Sequence, residues 1–263
     1  MAIYFFDMDG TLTPSRKKMQ HDIAVRLGQL STLAKIGIVT GSGMDYVVEQ
    51  CKMLEEVFVI NWDNINFLPC NGTQWYVWDN NKFVTKHKAD MRSKIGKENY
   101  KLLISYLSAA QSAATINELD DLDVTGTFIQ YRNSLVNWCP IGRNSGDAER
   151  EAFVSLDEKT GFRDSQIKAI REFFDKEKID SLIIAKGGDT SFDIYPVGWD
   201  KTYALQHFDE SDVSFVGDRC TGNGNDATIY NACLPKGFET AGPEETKQII
   251  QRFIDAEQDK IRQ

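Results

Sequence analysis

The chain has 263 residues, 41% of them hydrophobic, with 30 Lys and Arg against 39 Asp and Glu and a formal net charge of −9. That length suits one large domain or two modest ones, and the acidic balance gives no overall attraction for nucleic acid or an anionic membrane. Five widely spaced cysteines without a CxxC pair read as reduced packing residues rather than a disulfide frame or zinc site, and no segment approaches the roughly 20 apolar residues of a membrane helix.

Residues 2–6, Ala-Ile-Tyr-Phe-Phe, form an apolar, aromatic run that predicts a buried central strand. Asp7-Met8-Asp9-Gly10-Thr11 cannot continue it. The strand therefore ends at Asp7, on the carboxyl edge where open α/β sheets place their ligands. Asp9 is close enough for both carboxylates to face one reacting group. A carboxylate can attack phosphorus and form an aspartyl-phosphate, while its neighbour shuttles the proton. Gly10 lets the chain turn sharply, and Thr11 offers a hydroxyl and an N–H to phosphate oxygens. An ordinary surface turn is the competing reading; the position after a buried strand and the partners further along count against it.

Residues 35–39 predict a second strand, leading into Thr40-Gly41-Ser42. Met44, Val47, Val48, Cys51 and Leu54 then recur at helical spacing, as in a helix packed on a sheet. Residues 57–60 read as the next strand, and residues 74–85 as a hairpin turning at Asp79-Asn80-Asn81. Beyond this the pattern changes. Tyr100, Leu103, Ile104, Leu107 and Ala114 share a helix face, and strands at 127–131 and 135–139 flank a turn at Arg132-Asn133-Ser134. Helices follow at 147–158 and 166–176, then a strand at 181–185, with Gly187-Gly188 as a hinge back. Residues 213–216 predict a strand running into Gly217-Asp218, with Asp226 eight residues later, and residues 243–261 a closing amphipathic helix. The expected division is a core of residues 1–81 and 187–263 and an inserted α+β cap of residues 82–186. The acidic run 117–123 reads as a solvated loop.

Asp7 to Thr11 resembles the first motif of the haloacid dehalogenase superfamily of phosphotransferases. Thr40 after its strand, Lys201 in Gly198-Trp199-Asp200-Lys201, and the acidic loop Asp218 to Asp226 resemble the other three, in order. Within that superfamily the segments GTFIQYRN (126–133), PIGR (140–143) and SFDIYPVGWDK (191–201) resemble the eukaryotic-type phosphomannomutases over nearly the whole chain. The resemblance implies an α/β fold, a Rossmann-like haloacid dehalogenase core with an inserted α+β cap, acting as a cap-to-cap homodimer. It implies interconversion of mannose 6-phosphate and mannose 1-phosphate, on the route to GDP-mannose, through an aspartyl-phosphate and a hexose 1,6-bisphosphate activator. Asp7 would be the nucleophile, Asp9 the acid/base and Lys201 the catalytic cation. Mg²⁺ would be held by Asp7, the backbone carbonyl of Asp9 and Asp218, with Asp226 supporting its water shell. Thr40 and Ser42 would contact the transferring phosphate. Arg132, Arg143 and Arg150 would form the remote phosphate site with Arg16, and Ser191 and Asp193 would bind sugar hydroxyls.

Electrostatics requires a cation independently. Two unit charges 4 Å apart interact by about 4 kcal/mol at an effective dielectric near 20, so three carboxylates beside a phosphate repel it strongly. An all-oxygen site suits Mg²⁺ rather than zinc. Arginine suits a phosphate clamp because its planar fork binds in bidentate fashion, although Arg150, between Glu149 and Glu151, also fits simple helix salt bridging. No histidine lies in a catalytic-looking context, and the start of the chain lacks a signal-peptide pattern, so a cytoplasmic enzyme is expected. The family pattern is departed from at Thr40-Gly41-Ser42-Gly43, at Cys70-Asn71-Gly72 and at Gly222-Asn223, where proline and glycine are usual. Asn71-Gly72-Thr73 also matches a glycosylation sequon. A Thr-Gly pair is nearer the sugar-phosphatase branch, which keeps a Mg-dependent sugar-phosphate phosphatase as the alternative. A catalytically silent sugar-phosphate-binding relative is the third reading, disfavoured by the intact Asp7, Asp9 and Lys201.

Overall fold

A computed structural model describes residues 1–209, 212–222 and 224–262. It forms two compact units, Met1–Lys88 with Trp199–Gln263, and Ala89–Gly198. The chain begins with β1 (Ile3–Asp7), α1 (His21–Ser31), β2 (Lys35–Val39), α2 (Met44–Gln50), β3 (Ile65–Leu68), β4 (Gln74–Asp79) and β5 (Lys82–Lys88). The second unit carries α3 (Met91–Ile95), α4 (Lys97–Asn117), β6 (Ile129–Tyr131), β7 (Val136–Trp138), α5 (Asp147–Thr160), α6 (Phe162–Glu177), β8 (Leu182–Gly187) and β9 (Ser191–Pro196). The chain closes with β10 (Val213–Gly217), α7 (Ala227–Ala232), β11 (Gly237–Glu239) and α8 (Pro243–Arg262).

The first unit is built on a seven-stranded sheet of order β11-β10-β1-β2-β3-β4-β5. Strands β11 to β3 are parallel, and the β4–β5 hairpin is added antiparallel. Every residue of β1 is buried, which explains its unbroken apolar sequence: both faces are covered. Tyr4 and Phe6 pack with α1 and α8 residues such as Leu27, Ile250 and Phe253 on one face. Ile3 and Phe5 pack with Ala204, Leu205 and Ile229 on the other. The hairpin turns at Asn80 and Asn81, both with φ near +50 to +60°, where asparagine tolerates the left-handed region better than most residues.

Two expectations fail here for visible reasons. Residues 57–60 are not a strand. Val57 packs beneath α1, its Cγ1 2.6 Å from where a Cβ on Gly28 would stand, while Phe58 is fully exposed. The strand is β3, disguised in sequence by Asn66, whose buried carboxamide donates to Ile36 O (3.1 Å) and accepts from Trp75 Nε1 (3.0 Å). The helix expected to run through Leu54 stops at Gln50 and tightens into a 3-10 turn, Lys52–Glu56. Helix α1 was not anticipated; it lacks a side-chain N-cap and contains Gly28.

The second unit holds a four-stranded antiparallel sheet of order β6-β7-β9-β8. Leu103, Leu107, Gln111 and Ala114 of α4 are buried. Gln111 fixes α4 to β7 by accepting from Trp138 Nε1 (2.7 Å) and donating to Pro140 O (2.9 Å). The boundaries expected at 81/82 and 186/187 are displaced to 88/89 and 198/199. β5 completes the first unit's sheet, and β9 lies between β7 and β8 rather than returning to the core. Gly187 and Gly188 therefore belong to the β8–β9 hairpin.

A Cβ on Gly37 of β2 would stand 2.4 Å from Phe5 Cδ1 and 3.0 Å from Leu68 Cδ1. Gly37→Ala is expected to cost about 1–3 kcal/mol through overpacking, seen as a lowered urea midpoint. Gly43→Ser is expected to cost nothing, since nothing lies within 4 Å of Gly43 and it stands at the N-cap of α2.

Candidate active site

Asp7 is level with Val39 of β2, and Phe6 with Val216 of β10. Asp7, Thr40 and Asp218 therefore leave the sheet at one carboxyl edge, beside β1, where the strand order reverses. Past Asp7 the chain closes on itself: Met8 O accepts from the N–H groups of Leu12 and Thr13 (both 2.9 Å), and Gly10 N donates to Thr13 O (2.8 Å). Gly10 has φ +84°, and a Cβ on it would stand 2.3 Å from Asp218 Oδ2. Both the turn and the approach of Asp218 require glycine there.

Lys201 opens a 3-10 turn whose first N–H groups are capped by Asp200, which accepts from Thr202 N at 2.8 Å. Its side chain is 1% exposed. The ammonium donates to Asp7 Oδ1 and, at 2.5 Å, to Asp226 Oδ1. The other oxygen of Asp226 accepts from Arg219 N (3.1 Å). Carboxylate oxygens of Asp7, Asp218 and Asp226 lie within 4.8 Å of one another. Burial, then the Asp226 charge, raises the Asp7 pKa well above the usual carboxylate range, against the pull of Lys201. Asp218 is pushed up to about 6 by burial and by Asp226. Burial also works against the charge on Lys201, but Asp226 and Asp7 outweigh it and raise its pKa.

The Lys201 ammonium, with Arg219 Nε 3.7 Å from Asp218 Oδ2, does not balance three acids. Asp218 Oδ1 is buried without a hydrogen-bond partner among the described residues, and so is Thr11 Oγ1. An all-oxygen donor set with excess negative charge and an unsatisfied oxygen fits a hard divalent cation such as Mg²⁺. Asp226, with both oxygens held, fits a supporting role behind Asp7 and Asp218.

Asp9 is engaged differently. Its Oδ1 accepts from Arg16 N (2.8 Å) and from the hydroxyl of Tyr46 (2.9 Å). Tyr46, on α2, had no signal in the sequence. Arg16 is exposed, with φ +60°. Thr40 is buried and its hydroxyl accepts from Ser42 N (3.1 Å). The loop is braced by Asn71 N on Thr40 O (2.8 Å) and Cys70 N on Ser42 O (2.9 Å), while Asn71 Nδ2 reaches Trp199 O (3.2 Å). Cys70-Asn71-Gly72 thus ties the Thr40 loop to the segment before Lys201, and Asn71 is buried rather than displayed as a glycosylation site. Gly222 has φ +57°, a conformation closed to the proline expected in its place; Asn223 lies outside the described residues.

The second unit gathers the remaining candidates. Gly142 (φ +91°) would press a Cβ within 2.3 Å of Gly126 O. The two distinctive segments PIGR and GTFIQYRN therefore fold against one another, with Arg143 N donating to Thr127 O (3.3 Å). Arg143 Nη1 donates to Asn137 Oδ1 (2.9 Å) and Arg132 Nε to Gln130 Oε1 (3.0 Å). Asn137 Nδ2, with two protons to give, lies within hydrogen-bond distance of Asp193 Oδ1 (2.7 Å), Ser191 Oγ (3.0 Å) and Phe192 O (3.2 Å). Arg143, Ser191 and Asp193 thus share one hub that sequence reasoning missed. Arg150 lies in the first turns of α5, its N–H donating to Gly146 O (3.2 Å).

The family model for eukaryotic phosphomannomutase matches residues 23–256. The chain belongs to the eukaryotic phosphomannomutase family. It is 35% identical over 260 residues to the phosphomannomutase of Encephalitozoon cuniculi, covering 96% of this chain and 93% of that one. It is 32% identical over 266 residues to phosphomannomutase 2 of Dictyostelium discoideum, covering 96% of each. It is an enzyme of this family. Among solved structures, an IMP-nucleotidase of Plasmodium falciparum aligns with TM-score 0.67 at 15% identity, covering 96% of this chain and 70% of that one. A haloacid dehalogenase-like hydrolase of Bacteroides thetaiotaomicron aligns with TM-score 0.54 at 14% identity, covering 95% and 98%. These likenesses show the haloacid dehalogenase fold. Among the described residues no helix is long and apolar enough to cross a membrane.

Removing the ammonium leaves Asp7 and Asp226 buried without their cation. Lys201→Met is expected to lose about 3–5 kcal/mol of stability near neutral pH, measured by urea unfolding. Lys201 is the group that pulls the Asp7 pKa down against burial and Asp226; without it that pKa rises further, so the variant loses more stability than the unmodified protein as pH rises through the folded-state value. The deficit of the variant should therefore shrink as pH is lowered.

Proposed function

We propose that the protein interconverts mannose 6-phosphate and mannose 1-phosphate. The observation that carries the proposal is the buried Asp7–Lys201–Asp226 cluster beside Asp218, at the sheet edge of a chain of this family. An Asp7 oxygen forms a bond to phosphorus as the bond from phosphorus to the sugar oxygen breaks, and Asp9 delivers the proton to that leaving oxygen. In the return step Asp9 takes a proton from the accepting sugar hydroxyl while the phosphoryl group passes from Asp7 to it. Lys201 holds Asp7 in one orientation and offsets charge on the phosphoryl oxygens. Asp7, the Asp9 carbonyl and Asp218 would hold Mg²⁺, with Asp226 behind them; when bound, the ion neutralises the carboxylates and the transferring group. Thr40 and Ser42 would bind the transferring phosphate.

Isomerisation also needs a grip on the phosphate that is not reacting. Arg132, Arg143 and Arg150, with Arg16, would supply it, and Ser191 and Asp193 would bind the sugar hydroxyls. A hexose 1,6-bisphosphate would prime Asp7 and also be the intermediate that reorients. By the same family resemblance the enzyme acts as a homodimer through its second unit, in the cytoplasm, on the route to GDP-mannose.

The test is an assay with mannose 1-phosphate, a catalytic amount of glucose 1,6-bisphosphate and Mg²⁺, following mannose 6-phosphate and free phosphate together. The expected result is isomer without stoichiometric phosphate, abolished by chelator and by Asp7→Asn. Arg132→Ala or Arg143→Ala removes charge-assisted contacts of about 1.5–3 kcal/mol each and should raise free phosphate relative to isomer. One phosphate released per sugar, with no isomer, establishes the phosphatase alternative.

A further inference from the structure

The sheet of the second unit has a polar row across its strands. Gln130 of β6 pairs with Asn137 of β7, which pairs with Asp193 of β9. Because side chains alternate along a strand, these three share one face. Their strand neighbours Val136, Trp138, Phe192 and Ile194 are buried in the apolar layer, with Trp138 and Phe192 stacked at 4.8 Å. Asn137 is itself buried.

We infer that Asn137 is a positioning residue for sugar-phosphate recognition, orienting Arg143 and Asp193 together, with Gln130 in the same row accepting from Arg132 alone; the inference rests on the function proposed above. A guanidinium offers only donors and a carboxylate only acceptors. Between Arg143 and Asp193 a primary amide satisfies both: its oxygen faces Arg143 and its nitrogen faces Asp193. The same nitrogen donates to Ser191 Oγ, whose own proton goes to Gly187 O, leaving Ser191 an acceptor toward a sugar hydroxyl. Gly187 lacks the Cβ that would stand 2.8 Å from the Asp193 carboxylate. The second physical point is charge. An amide oxygen aims a guanidinium without adding a negative charge of its own, so the contacts of Asn137 with Arg143 and of Gln130 with Arg132 add no competitor to the phosphate. An isosteric carboxylate at either position would keep the shape and oppose the phosphate.

Asn137→Asp and Gln130→Glu test this with little change in volume. Both are assayed beside the unmodified enzyme with mannose 1-phosphate and catalytic glucose 1,6-bisphosphate, with thermal midpoints measured in parallel. Loss of a charge-assisted contact corresponds to about tenfold or more in binding. The expected result is a KM raised about tenfold or more in each variant, with kcat changed much less. Gln130 is only half-buried, so Gln130→Glu remains informative should Asn137→Asp fold poorly. A structural role alone would lower the midpoint and leave KM unchanged in whatever protein stays folded, and that result overturns the inference. If the unmodified enzyme forms no mannose 6-phosphate, the proposed function fails and the inference falls with it. If it does and both variants match its KM, the inference alone is wrong.

Discussion

The structure depends on a buried ammonium. Lys201 joins Asp7, at the end of the central strand, to Asp226, the residue preceding α7, in a site where none of the three side chains is more than 5% exposed. Carboxylates so close and so dry repel one another and resist ionisation. Their shared contact with Lys201 lets the chain hold a buried carboxylate at the sheet edge. Even with Arg219 Nε 3.7 Å from Asp218 Oδ2, the arrangement leaves a net negative balance at Asp7 and Asp218, which suits a divalent cation.

Around this centre the fold works largely through absence of side chains. Gly10 admits the Asp218 carboxylate, and Gly217 leaves space for Asp226, whose Oδ2 lies 2.7 Å from where its Cβ would be. Gly72 admits Ala204 of the turn that carries Lys201, its missing Cβ falling 2.5 Å from the Ala204 backbone. Strand register supplies the rest: parallel β1, β2 and β10 end level, so three segments far apart in sequence deliver their polar residues to one edge. The second unit uses antiparallel register instead, lining up Gln130, Asn137 and Asp193.

What was legible in the sequence followed physical contrast. A strand buried on both faces and cut off by DMDGT is unmistakable, as is the one cut off by Gly217-Asp218. Strand β3 was not legible because Asn66 interrupts its apolar run while satisfying its own hydrogen bonds in the interior. Residues 57–60 look more strand-like than β3 and yet serve a loop, because Val57 is buried and Ile60 partly so while Phe58 and Val59 between them are exposed. Lys201 was found through resemblance, since a lysine after Trp-Asp carries no local sign that it will be enclosed. Tyr46 and Asn137 escaped for a related reason: each matters through a hydrogen bond to a distant segment, and those partners are set by tertiary packing and register. The hinge assigned to Gly187-Gly188 was wrong because two glycines suit a hairpin as well as a domain crossing.

The central claim is that Asp7 carries the phosphoryl group, and acid-quenched phosphopeptide mapping tests it most directly. Enzyme mixed with hexose 1,6-bisphosphate and Mg²⁺ is stopped in acid, digested and sequenced by mass spectrometry. The account predicts an acyl phosphate on Asp7, removed by hydroxylamine and discharged when sugar monophosphate is added before the quench. A phosphoryl group on any other residue, or sustained turnover with Asp7 unmodified throughout, would contradict it.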